Sequence, residues 1–169
     1  MLIEGYADAA LPVLDKLANE GYTGALYYLF NKPGKIIDER GYTIVENSLN
    51  NPKIEMKITA VKLLWDGKKI TREKAEAVAL ATLSIFKSSK EYGIGWDDKR
   101  GIIPLPGFEK NFEKSNQQQG SDWRAIENAI SILTELKSKK AIPSLEKLAK
   151  NPDASYLQNR ANDALSILR

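Results

Sequence analysis

Ala141-Ile142-Pro143-Ser144-Leu145-Glu146-Lys147-Leu148-Ala149 matches Ala10-Leu11-Pro12-Val13-Leu14-Asp15-Lys16-Leu17-Ala18 at six of nine positions, from opposite ends of the chain. In both stretches apolar residues recur every three or four positions, which lines them up on one face of a helix. Proline stands in the opening turn of each, where its missing N–H has no helical acceptor to lose. A second pattern lies downstream of the first: a small residue, an apolar one, two further positions and leucine. It occurs as Ala25-Leu26-Tyr27-Tyr28-Leu29, Ala60-Val61-Lys62-Leu63-Leu64, Ala129-Ile130-Ser131-Ile132-Leu133 and Ala164-Leu165-Ser166-Ile167-Leu168, at spacings of 35, 69 and 35 residues. A period near 35 is the length of a helix pair and its turns, the signature of a repeat array.

Start and stop residues divide the rest accordingly. Eight helices are expected, the first from Ala9 to Asn19 with Asp8 as cap, Pro12 in its first turn and a stop at Gly21. Thr23 opens the second, which runs to Asn31 before Pro33-Gly34, and the third spans Ile37 to Leu49 before the break at Asn50-Asn51-Pro52. The fourth covers Lys53 to Trp65, with Ile54, Ile58, Val61 and Trp65 on one face and Gly67 as its stop. The fifth, Thr71 to Lys90, is expected to be the longest. A sixth follows from Asp122 to Lys137 capped by Ser121, then a seventh from Ala141 to Lys150 and an eighth after Asp153 to Leu168. The alanines at 25, 60, 129 and 164 read as close-packing points between helices.

The opening A-I-P-x-L-x-x-L of Ala141 to Leu148 and the later R-A-x-x-A-L-x-x-L of Arg160 to Leu168 resemble a HEAT repeat, and also the phycobilisome-lyase type of HEAT-like repeat. The likeness covers residues 122 to 169 well and 7 to 65 moderately, and lapses between about 91 and 121. It implies an all-α fold, a short α-solenoid of stacked antiparallel helix pairs forming a single domain over 1–169, with the second helix of each pair lining a concave face. Such families mostly bind other macromolecules. The lyase likeness would imply handling of a tetrapyrrole.

The segment 91–121 departs from this pattern, with glycines at 93, 95, 101, 107 and 120 and prolines at 104 and 106. A thirty-residue connection is long for a compact domain and asks for a reason. One reading is a binding loop held by the helices, offering Trp96, Asp97, Asp98, Lys99, Arg100, Phe108 and Phe112 to a partner. The other is an irregular insertion that covers an apolar edge, with Trp96, Ile102, Ile103, Leu105 and Phe108 tucked into the core. Ser115 to Gly120 reads as a flexible tether in either case.

Composition narrows the chemistry. At 169 residues and 43% hydrophobic the chain has enough apolar surface for a core. It has no cysteine and no histidine, which removes disulfides, thiolate nucleophiles, the commonest metal ligands and the commonest neutral-pH base. Carboxylate chemistry survives that exclusion, but Asp97-Asp98 is the only paired candidate, and adjacent loop residues need not converge on one atom. Gly93-x-Gly95 lacks the third glycine and the strand-to-helix setting of a nucleotide loop. The expectation is a chain that is not an enzyme, with no metal and no cofactor. No run of about 18 apolar residues offers a membrane span. The start MLIEGYADAALP carries acids where a signal peptide carries lysines, so an untargeted cytoplasmic chain is expected.

The function expected from these residues is a scaffold that binds a protein or peptide partner on the concave groove of the second, fourth, sixth and eighth helices, on the 91–121 loop, or on both. Tyr27, Tyr28, Arg124, Asn128 and Arg160 are the groove candidates, since aromatic and arginine side chains dominate binding energy at interfaces. Nucleic acid is the alternative partner, through possible phosphate contacts from Lys53, Lys57, Lys62, Lys68 and Lys69, in a stretch that continues to Arg72 and Lys74. The net charge of +3 does not itself demand such a partner. A further alternative is a non-catalytic fragment of a larger assembly.

Overall fold

The computed structural model describes residues 2–30, 39–154 and 156–169, with side chains described for all of these but 2–7, 30 and 156. The fold is mainly helical. Eight α-helices occur among the described residues: α1 (Leu2–Asn19), α2 (Thr23–Phe30), α3 (Glu39–Ser48), α4 (Ile54–Asp66), α5 (Arg72–Leu83), α6 (Phe112–Glu135), α7 (Ile142–Ala149) and α8 (Tyr156–Leu168). The all-α character expected from the sequence holds, with one short antiparallel hairpin, β1 (Ile94–Asp97) and β2 (Gly101–Pro104), in the segment between α5 and α6. The chain divides into two compact units, Met1–Val78 and Ala79–Arg169, with the division falling inside α5.

In the first unit α1 packs on α2 and α3, and α4 packs on α2 and α3. Leu11, Leu26, Val45, Met56, Ala60 and Leu64 share one buried cluster. α1 stops at Gly21, whose φ of +85° suits a residue without Cβ; the N–H of Gly21 reaches the carbonyl of Ala18 and that of Tyr22 the carbonyl of Leu17, the paired bonds of a Schellman motif. The turn before α4 is held by Asn51. Its side-chain amide donates to the Ala18 carbonyl at 3.2 Å while its Oδ1 accepts the Lys53 N–H at 2.9 Å. The same device recurs before α8, where Asn151 Oδ1 accepts the Asp153 N–H at 2.9 Å across another Asn-Pro step. The four repeat alanines, 25, 60, 129 and 164, are all buried.

In the second unit α8 packs on both α6 and α7. Leu133, Leu145, Leu157 and Ala161 are buried there, and Arg169 pairs with Glu146 at 2.6 Å.

Several boundaries differ from the sequence reading, each for a visible reason. α1 begins at Leu2, so Pro12 lies inside the helix and Asp8 does not cap it; the Asp8 carboxylate pairs with Arg40 at 2.5 Å instead. α4 is buried on more than the expected face, since Met56, Ala60 and Leu64 are buried along with Ile58 and Val61. At its end Gly67 is right-handed, with φ −78°, and Lys68 takes the left-handed position at φ 56°. Gly67 has a different role: a Cβ there would stand 2.7 Å from the Tyr42 hydroxyl oxygen.

α5 ends at Leu83 and is not the longest helix. The backbone beyond it has other partners, with the Lys87 carbonyl taken by the Trp123 indole at 3.1 Å and the Ser88 N–H by Glu91 at 2.7 Å. α6 is the longest, at 24 residues, and starts ten positions earlier than expected, at Phe112 instead of Asp122. Ser115 to Gly120 is therefore helix and not a tether. The expected end of the second helix at Asn31 and the start of the third at Ile37 lie outside the described residues.

Candidate interaction surface

The segment between α5 and α6 is built from local turns fastened to α6. Ser88 donates through both its N–H and its hydroxyl to Glu91, at 2.7 and 3.0 Å, opening a 3₁₀ turn over Ser89–Tyr92. Those bonds hold the Glu91 carboxyl below its usual range, the backbone donor contributing most. Gly93 ends the turn at φ +72°, and the Phe108 ring lies where its Cβ would be, 2.0 Å away. No other residue fits that position. Three side-chain bonds then tie the turn to α6: Tyr92 donates to Asp122 Oδ2 at 2.5 Å, Gln119 donates to Ser89 Oγ at 2.8 Å, and the Trp123 indole reaches the Lys87 carbonyl. Burial first, and then the bond to Asp122, pushes the Tyr92 phenol well above its ordinary pKa.

On this base stands the hairpin. Asp97 Oδ1 accepts the N–H groups of Arg100 at 2.9 Å and Lys99 at 3.1 Å, and Gly101 leaves the turn at φ +75°. A three-residue connection with a left-handed glycine is one of the common hairpin closures, in which a type I turn is followed by a left-handed residue. The two backbone bonds, Arg100 first, lower the Asp97 pKa. The Asp97 carboxylate is thus occupied with the turn, while Asp98 is exposed. The register pairs Trp96 with Ile102. The Leu105 N–H donates to the Gly93 carbonyl, so by alternation Trp96 and Ile102 are a pair without mutual backbone bonds, the kind whose side chains stand closest.

Trp96 is 71% exposed and Ile102 is 50% exposed. Phe108 remains 42% exposed even while it covers Gly93. This corrects the covering reading, in which all three would be core. The inward anchors are Tyr92 and Ile94, both buried, and they let the hairpin stand firm while its outer pair faces solvent. Beside the hairpin opens a cleft of about 620 Å³, lined by Ile94, Trp96, Ile103 and Leu105 and floored by Trp123 and Gln119. Trp123 and Gln119 were not singled out from sequence as site residues. Gln119 belonged to the supposed tether.

A second concavity, of about 330 Å³, runs between α6 and α8 and brings two groove candidates together, Asn128 and Arg160. Arg160 pairs with Glu127 at 2.7 Å. Arg124 is exposed on α6 but does not line this groove. Tyr27 and Tyr28 are each 38% exposed on α2, in the other unit.

The lysines proposed for phosphate contact are largely engaged. Lys53 Nζ donates to the carbonyls of Glu20 and Gly21 at 3.0 and 3.4 Å, a cation against the C-terminal end of α1 where the helix dipole favours it. Lys62 pairs with Asp66 one turn on, at 2.7 Å. Lys69 pairs with Glu39 at 2.9 Å and lies over the Tyr42 ring at 4.9 Å; the bond to Glu39 raises its pKa. Lys68 forms the left-handed turn after α4, and Lys57 is half-buried on it.

Among the described residues no group of three or more carboxylates is placed to hold a metal ion, and no helix is long and apolar enough to cross a membrane. Comparison with protein-family models, with curated proteins and with solved structures returned no match for this chain.

Proposed function

We propose that this chain is a non-catalytic protein-interaction scaffold, built of HEAT-like helix pairs stacked in series, that holds a protein or peptide partner without a cofactor. The stacking is supported by recurring local structure: the Asn-Pro turns at Asn51 and Asn151, the buried alanines, and the matching ends of α4 and α6 at Lys68 and Lys137.

The observation that carries the binding reading is Trp96, exposed beside Ile102 on a hairpin whose base is bonded to α6. Leaving such side chains in water forgoes about 1.5–3 kcal/mol apiece of burial energy. A rigidly mounted tryptophan is the kind of residue that anchors an interface, because it loses little conformational freedom on binding. The lysines give the nucleic-acid reading less support, since Lys53, Lys62 and Lys69 already have partners.

The test is affinity capture from nuclease-treated lysate of the source cells, using the chain and its Trp96→Ala and Ile102→Ser variants as baits. A partner held by the parent chain and lost with both variants supports the reading. Retention by both variants removes the hairpin from the interface. Recovery of partners only when nuclease is omitted replaces protein with nucleic acid.

A further inference from the structure

We infer that Asp66-Gly67 is a latent site of spontaneous covalent modification, isomerisation of Asp66 to isoaspartate, and that the closed end of α4 is what holds it in check.

The sequence has one Asp-Gly step, at these two positions, and no Asn-Gly step. At an Asp-Gly step the glycine backbone nitrogen attacks Cγ of the aspartate. A new N–Cγ bond forms, the carboxyl hydroxyl leaves with the N–H proton as water, and a five-membered succinimide ring results. Water then opens the ring at either carbonyl. Attack at Cγ restores aspartate. Attack at the former main-chain carbonyl carbon makes that group the free carboxylate, and the chain now runs through Cβ and Cγ, one backbone atom longer. The water lost is regained, so composition is unchanged and no co-reactant enters. Glycine is especially open to this chemistry because no Cβ shields its nitrogen or restricts its backbone.

Packing demands that glycine. A Cβ at position 67 would stand 2.7 Å from the Tyr42 hydroxyl oxygen and 2.8 Å from Cε1 of its ring. The labile step therefore comes with the contact between α3 and the end of α4.

The same helix end opposes the reaction in three ways. The attacking nitrogen is engaged, since the Gly67 N–H donates to the Leu63 carbonyl at 3.0 Å. Asp66 is the last residue of α4, and a helical ψ of about −42° keeps the next nitrogen well out of the plane that a five-membered ring needs it to share with Cα and Cβ. The Asp66 carboxylate is also drawn to Lys62 Nζ at 2.7 Å, one turn back along the helix and away from Gly67. Beyond the step the turn is closed again. The N–H groups of Lys68 and Lys69 reach the Trp65 and Leu64 carbonyls at 3.0 and 2.8 Å, and Lys69 Nζ is anchored on Glu39 at 2.9 Å.

Ring closure thus waits for this turn to fray. Fraying is fast beside the chemistry, so the folded chain should react at the unfolded rate multiplied by the fraction of time the turn is open. Once formed, the longer isoaspartyl link puts the Lys68 and Lys69 N–H groups out of register with their acceptors, so the turn cannot reclose as before.

The experiment incubates the full chain at neutral pH, folded in buffer and unfolded in guanidinium chloride, and quantifies isoaspartate at position 66 by peptide mapping with electron-transfer fragmentation. Isoaspartate should accumulate in denaturant and at least about tenfold more slowly in buffer. Lys62→Gln, which keeps most of the stem, and Glu39→Ala, at an exposed position, should speed the folded reaction several-fold without changing the rate in denaturant. Lys68→Gly, which relieves the left-handed residue, should slow the folded reaction. Equal rates in buffer and denaturant would overturn the inference, as would no isoaspartate at 66 in denaturant or a folded rate that none of the three variants moves.

Discussion

Lys68 and Lys137, sixty-nine positions apart, adopt the same left-handed backbone, at φ 56° and 49°. The N–H of Lys68 reaches the Trp65 carbonyl and that of Lys69 the Leu64 carbonyl; in register with these, Lys137 reaches Thr134 and Ser138 reaches Leu133. Leu64 and Leu133 are the leucines that close the repeat pattern, so the echo in sequence extends to how the two helices end. A left-handed conformation costs a residue with a Cβ about 1–2 kcal/mol, part of which glycine would recover against its own greater freedom when unfolded. Lys68→Gly and Lys137→Gly should each raise stability by about 0.5–1 kcal/mol in urea denaturation. Gly67→Ala should lower it, because of Tyr42. If Lys68→Gly proved destabilising and Gly67→Ala neutral, the assignment of the two positions would be reversed.

Ala60 and Ala129 are fully buried at corresponding positions of α4 and α6. An indole at either must displace packed neighbours, so Ala60→Trp and Ala129→Trp should each cost about 1–3 kcal/mol or more. Exposed Ala77 provides the control, and Ala77→Trp should melt close to the parent. Parent-like melting of all three would mean that these alanines are not packing points.

Tyr92 and Trp96 stand four residues apart with opposite roles, one buried and bonded to Asp122, the other exposed. Tyr92→Phe deletes a hydrogen bond to a carboxylate and should cost about 1–2 kcal/mol in thermal unfolding. Trp96→Ala should change stability by less than about 0.5 kcal/mol while impairing partner capture. A large loss of stability with Trp96→Ala would return that side chain to a covering role.

The hairpin turn should loosen in acid. Asp97 has its pKa lowered in the folded chain by the Arg100 and Lys99 N–H groups, so the stabilisation is complete above the ordinary aspartate pKa and is lost as pH falls through the lowered folded value. Amide exchange at Arg100 and Lys99, followed by NMR and corrected for intrinsic rates, should show falling protection below about pH 4. Asp97→Asn should remove that pH dependence. A flat protection profile in the parent chain would show that the carboxylate does not hold the turn.

The helices at both ends of the chain were legible because their signals are local: apolar spacing, Asn-Pro and glycine breaks, and Pro143 in the opening turn of α7, although Pro12 marked no such start and lies inside α1. The early part of α6 was not, since Gln117, Gln118, Gln119 and Gly120 have no apolar period. Its stability comes from tertiary bonds such as Gln119 to Ser89 and from burial of Trp123. The end of α5 was hidden for the same reason, because the indole that takes the Lys87 carbonyl lies 36 residues further along.

Of the candidate site, the residue types around Trp96 could be listed from sequence, but not their orientation. Pairing with Ile102, support from buried Tyr92 and Ile94, and the meeting of α6 with α8 at Asn128 and Arg160 all join positions distant along the chain. The sequence by itself determined a mainly helical chain with a period near 35 and no histidine or cysteine chemistry. Which apolar side chains face water, and which lysines are already paired, was decided only by tertiary structure, since exposure and ion pairing depend on neighbours that local periodicity does not encode.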